Sequence, residues 1–120
     1  MRREPEPESF LPLTAAAYHV LLALGDRSLH GYAMMQALEE KTEGRDQLLP
    51  GSLYATVSRM VEDGLLEEAE PPSGADVRRR YYRVTRLGRS VAGAESARLA
   101  RLLEVARREA YLPEVTRRKA

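Results

Sequence analysis

Residues 51–85 leave this chain few folds to choose from. Between positions 52 and 63, Leu53, Val57, Met60 and Val61 recur at the spacing of one helix face, and Gly64 stops the run. Residues 65–69 and 80–84 then read as two short strands. Pro71, Pro72, Ser73 and Gly74 lie between them with Ala75 and Asp76 and continue neither strand, so the connecting loop must protrude. The loop ends in Arg78 and Arg79, and the second strand opens on Arg80. A helix with a hydroxyl-rich outer face, followed by a basic hairpin, is an arrangement suited to gripping duplex DNA.

Charge distribution carries more information than charge. The 120 residues have a formal net charge of only +1, yet residues 78–89 hold six arginines and no acid. Such a run also describes a plain solvated face; its place beside a hairpin favours the basic grip. The chain has no cysteine, which removes disulfides and thiolate metal sites. The longest apolar run, residues 15–24, is broken by His19 and too short to cross a bilayer. No signal core follows Arg2 and Arg3, so the expected compartment is the cytoplasm. The two histidines, His19 and His30, fall inside one helix and at the start of another, and nothing assembles a catalytic constellation, a phosphate loop or a ligand set. No metal or cofactor is expected, and the chain does not read as an enzyme.

The expected fold is mainly α with one small β-hairpin: a winged helix-turn-helix followed by a C-terminal dimerisation helix. Residues 1–12, with alternating Glu and Pro, read as a flexible tail. Thr14 caps a helix that Gly25 closes, with Leu13, Ala17, Leu21 and Leu24 on one stripe and Tyr18 and Leu22 beside it. His30 and Gly31 open a second helix with Tyr32, Met35 and Leu38 facing in. The third runs over residues 52–63. The winged-helix unit thus covers residues 13–85. Thr85 caps a last helix within residues 86–112 carrying Leu87, Val91, Leu99, Leu102, Leu103 and Ala106, and residues 113–120 form a basic tail.

Two sets of candidate residues follow. On the third helix, Ser52, Tyr54 and Thr56 supply hydroxyls and Arg59 a charge where a helix in the major groove reaches base edges and phosphates. Arg78, Arg79 and Arg80 of the wing supply the second grip. Tyr81 and Tyr82 alternate across the strand, and period alone does not say which faces inward. The second set is apolar. Tyr18, Leu21 and Leu22 of the first helix and Leu99, Leu102 and Leu103 of the last carry more surface than one small domain covers, so a second copy about a two-fold axis is expected to bury it.

Leu29-His30-Gly31-Tyr32, Leu49-Pro50-Gly51-Ser52-Leu53-Tyr54, Glu62-Asp63-Gly64-Leu65-Leu66 and Arg80-Tyr81-Tyr82-Arg83-Val84-Thr85-Arg86-Leu87-Gly88 occur in this order. Together they resemble the PadR family of bacterial transcriptional regulators over roughly residues 13–90. The resemblance implies a homodimeric repressor that binds a double-stranded DNA operator, with the last helix making most of the dimer interface. A single last helix of this length is similar to the short subfamily. Some of its members take flat aromatic effectors at the dimer interface, so a small hydrophobic or aromatic effector is a candidate partner. The tryptophan that stacks on ligands in the multidrug-sensing members has no counterpart here, and Ala55 stands where the family often has proline. The alternative is a winged-helix ligand-binding or protein-interaction module that does not bind DNA.

Overall fold

The computed structural model describes residues 4–113. Among the described residues there are four α-helices, α1 (Ala15–Leu24), α2 (Gly31–Lys41), α3 (Pro50–Glu62) and α4 (Arg86–Arg108), and one antiparallel hairpin, β1 (Leu66–Ala69) with β2 (Tyr81–Val84), which comes between α3 and α4 in the chain. This is the winged helix-turn-helix order. The hairpin pairs Leu66 with Val84 and Ala69 with Tyr81. Leu29, in the α1–α2 connection, exchanges both backbone hydrogen bonds with Tyr82 at 3.1 and 3.0 Å, so the other edge of β2 is also paired.

Side-chain caps set where three of the helices begin. Thr14 accepts from the Ala17 N–H at 3.1 Å, His30 Nδ1 from the Ala33 N–H at 3.1 Å, and Thr85 from the Gly88 N–H at 3.0 Å. The Thr85 hydroxyl also donates to the Gly64 carbonyl at 2.6 Å, tying the end of the hairpin to the end of α3. Gly64 itself sits at φ +80°, the left-handed turn that lets the chain leave α3 and enter β1. The core lies where the helices cross: Val20 and Leu24 of α1, Met34 and Leu38 of α2, Leu53 of α3 and Val91 of α4 are buried, with Leu65 and Leu66 beneath the wing.

Helix α2 departs from the sequence expectation. Met34, Ala37 and Leu38 face the core, while Tyr32 is 53% exposed and Met35 half-buried. Spacing of i, i+3, i+6 drifts about 60° per step around a helix, whereas i, i+3, i+4 stays on one face. The tighter set is the one that packs. Helix α3 starts at Pro50, whose fixed φ suits a first helical position, so Ser52 lies inside the first turn and not at its cap. Val61, expected inward, is 37% exposed.

The N-terminal segment differs too. Pro7–Phe10 forms a turn of 3-10 helix that packs on α4, with Phe10 and Leu11 against the core. Its anchor is Glu95, buried on α4, which accepts the Leu13 N–H at 2.9 Å and pairs with Arg98. Two Pro-Glu repeats hid a segment whose next residues are apolar. The basic stretch at residues 117–119 lies outside the described residues, as do Arg2 and Arg3.

Arg98 holds the Glu95 carboxyl below its ordinary value, burial pushes it the other way, and the Leu13 N–H adds to the lowering. With its folded pKa below the unfolded value of 4.5, Glu95 stabilises the fold fully above that value and less as pH falls through the folded one. Glu95→Ala leaves the Leu13 N–H unpaired and is expected to cost about 1–3 kcal/mol at neutral pH. Urea denaturation checks this: the gap from wild type should narrow below about pH 4.

Candidate nucleic-acid interface

Helix α3 and the wing share a groove. Tyr54 and Ser58 line one wall, Arg79 and Arg80 the other, and Tyr32 and Tyr82 close the remaining sides around a volume of 820 Å³. The α3 wall follows from helix geometry: Leu53, Val57 and Met60 point into the core, which turns Tyr54, Ser58 and Val61 toward the wing. Tyr54 is 60% exposed.

The proposed α3 residues do not stay together. Ser52 is exposed at the helix start, and its hydroxyl donates to the Leu49 carbonyl at 3.2 Å. Thr56 is half-buried and lies with Arg59 on the opposite flank of α3 from Tyr54, beside Leu13, Thr14 and Ala17. Gly51 and Ala55 are exposed on the helix face between the two flanks. Helix α3 also differs from the other three in having no side chain at its cap, so its first N–H groups are open.

The wing arginines are ordered by the wing's own acids. Asp76 holds the Arg78 guanidinium at 3.1 Å and receives its N–H at 3.0 Å. These two bonds draw the Asp76 carboxyl below its usual pKa. Arg80 approaches Glu68 at 3.7 Å, and Arg83 meets Glu67, its cross-strand neighbour, at 2.7 Å. Arg78 and Arg80 keep side-chain exposures of 88% and 80%, whereas Arg79 is at 47% and turned toward the domain. Tyr81 is the inward tyrosine, buried edge-on against His30, and Tyr82 the half-buried one on the groove. Exposed pairs of this kind are weak, so phosphates can displace the carboxylates.

Sequence reasoning misses Tyr32 and Asp76 as parts of this interface. The wider spacing on α2 puts Tyr32 on the inner face, away from the groove it lines. Asp76, the one acid just before the arginine run, is the available signal for an ordered wing tip.

The apolar set also divides. Leu22, Leu99, Leu102 and Leu103 are exposed, with Val105 beside them. Tyr18 is half-buried and its hydroxyl lies 2.6 Å from Ser96 Oγ, joining α1 to α4. Leu21 does not belong with them. It is 4% exposed inside the protomer's own core and offers a partner no surface. Its stripe position, one turn from Ala17 and Leu24, already allowed that reading.

The sequence pattern of the Transcriptional regulator PadR-like family matches residues 20–94. A Streptomyces fradiae protein, described as an uncharacterized 37.1 kDa protein in transposon TN4556, is 37% identical over 83 residues, which are 69% of this chain; the chain spans 22% of the length of that curated relative. Among solved structures, a transcriptional regulator from Clostridium thermocellum is similar at TM-score 0.66 and 19% identity, over 78% of this chain and 87% of that one. A PadR family transcription regulator from Clostridium difficile is similar at TM-score 0.63 and 18% identity, over 79% and 97%. A PadR-like transcription factor from Bacteroides fragilis is similar at TM-score 0.59 and 28% identity, over 77% and 86%. With the family pattern spanning both the helix-turn-helix and the wing, the chain belongs to the PadR-like family of transcriptional regulators.

Proposed function

We propose that this protein is a homodimeric transcriptional repressor that binds operator DNA through α3 and the wing and is released by a small hydrophobic or aromatic effector held at the dimer seam. The observation that carries the DNA-binding part is the shared groove, which brings the exposed face of α3 and the wing arginines to one side of the domain. The open α3 N-terminus can receive a phosphate, and Gly51, Ser52 and Ser58 approach base edges in the major groove. Arg78 and Arg80 lie on the exposed side of the wing, where backbone phosphates can compete with Asp76 and Glu68 for them. The exposed leucines of α4 favour the dimer. Leaving each in water forgoes about 1.5–3 kcal/mol. The radius of gyration, 16.3 Å, also exceeds the roughly 14 Å of a compact chain of this size.

Arg78→Ala with Arg80→Ala is expected to weaken binding to every duplex alike. The dependence of log affinity on log salt should flatten by about 0.9 for each phosphate that the variant no longer neutralises. A fluorescence-anisotropy titration across salt concentrations measures both. Unchanged affinity and slope would take the wing out of the interface.

A further inference from the structure

One imidazole joins the parts that have to be aligned. His30 Nδ1 takes the Ala33 N–H of the first turn of α2 at 3.1 Å and lies 3.2 Å from Arg79 Nη1 on the wing. Its ring meets Tyr81 of β2 edge-on, centroids 5.3 Å apart. Amide and guanidinium are both obligate donors, so Nδ1 must offer its lone pair, which requires the neutral ring with its proton on Nε2. Arg79 is steadied from two more sides, by Asp76 at 3.7 Å and by the face of Tyr32 at 6.0 Å. The same corner is keyed to α3: a Cβ on Gly31 would come within 3.0 Å of the Tyr54 ring, so Tyr54 rests directly on the backbone next to His30.

We infer that His30 is a positioning residue for DNA binding: through Arg79 it clamps the wing to the start of α2, and through that corner it sets the wing's angle to α3. This rests on the DNA-binding reading above. Protonation of Nδ1 removes both bonds and places a second cation against Arg79. The charged and titratable groups around the ring are Arg79 and Asp76 of the wing loop, Tyr81 of β2, and Tyr32 and Tyr54 alongside. Burial first and Arg79 second lower the pKa of His30, and Asp76 opposes them. The clamp is therefore complete above the ordinary value of 6.5 and fails as pH falls through the lower folded value.

Two substitutions separate the clamp from the helix cap. Asn places Oδ1 where Nδ1 stands, so His30→Asn keeps cap and clamp without titrating. Ser caps helices equally well but is too short for Arg79, so His30→Ser keeps the cap alone. The probe is a fluorescein-labelled mixed-sequence duplex of about three turns. Near pH 7.5, His30→Asn should bind like wild type and His30→Ser about tenfold more weakly. Toward about pH 5.5, wild type should lose affinity relative to His30→Asn, although an added positive charge alone would raise it. Wild-type affinity in His30→Ser, or a wild-type-to-Asn ratio that does not fall in acid, overturns the clamp. Should wild type bind no duplex even at low salt, the DNA-binding reading fails by itself. Nitrogen-15 spectra of the His30 ring in the free protein then decide the clamp: an Nδ1 resonance that shifts on Arg79→Ala supports it, and one that Arg79→Ala leaves unchanged overturns it, since the cap alone already demands the Nε2–H tautomer.

Discussion

Gly88→Ala should lose about 3 kcal/mol or more of folding stability. Its Cβ would collide with the Leu65 carbonyl oxygen and sit 2.8 Å from Val84 Cγ1. The oxygen is backbone and cannot swing aside. It already accepts the Thr85 N–H at 3.0 Å, while Thr85 also bonds Gly64, so α3, the hairpin and α4 all meet at this point. Relief would require moving α4 off the core. In a domain of this size, 3 kcal/mol lowers the thermal midpoint by about 10–20 °C. Gly93 is the internal control. It lies five residues on in the same helix with nothing within 4 Å of its would-be Cβ, so Gly93→Ala should gain about 0.5–1 kcal/mol. Melting both variants by circular dichroism gives the comparison. Equal midpoints would mean that α4 is not pressed against the α3–β1 junction.

Leu102→Asp should leave the protomer folded and the protein monomeric. Leu102 is 53% exposed and sits on α4 beyond the last buried residue, Glu95, so its replacement costs the core nothing. In a two-fold seam with Leu99 and Leu103, each substitution is counted twice, and each buries a carboxylate without a partner. Operator binding should fall with the dimer, because two linked reading heads gain from the second half-site and one head does not. Sedimentation at micromolar concentration and an unchanged far-ultraviolet spectrum check the two halves of this expectation. A persisting dimer would move the interface, and the effector site proposed within it, to another surface.

What was legible in the sequence was local and periodic. Thr14 and Thr85 mark helix starts, and Gly25 and Gly64 helix stops, by backbone chemistry that needs no knowledge of the fold. The Leu53, Val57, Met60 set fixes the inward face of α3, and the Pro71-Pro72-Ser73-Gly74 break fixes the hairpin. What failed depended on which neighbour a residue would meet. Tyr32 is apolar enough for a core, but its partners are Arg79 and the groove across from α3. Leu21 looked like surplus surface because the depth of cover over α1 is not written in α1. The candidate site was legible as a set of residue types and not as a constellation: Thr56 and Tyr54 are two apart in sequence and on opposite flanks of the helix. Glu95 follows Leu87 and Val91 at four-residue steps on the buried face. Its role depended on Leu13, 82 positions away in the chain.

Helix α4 leaves the core after Glu95 and continues as an exposed rod to Arg108. A helix advances about 1.5 Å and rotates about 100° with each residue. If the proposed seam lies on the outer half and the reading head on the inner half, the number of residues between Glu95 and Leu99 would fix both the distance between the two heads and their rotation about the rod. One added residue would turn the heads out of phase with the duplex; four would bring them back to within about 40°, some 6 Å farther out. In such a dimer, half-site separation would be encoded as a length of chain, apart from the residues that touch the bases. A lineage could then respace its operators by editing that rod while α3 stays unchanged.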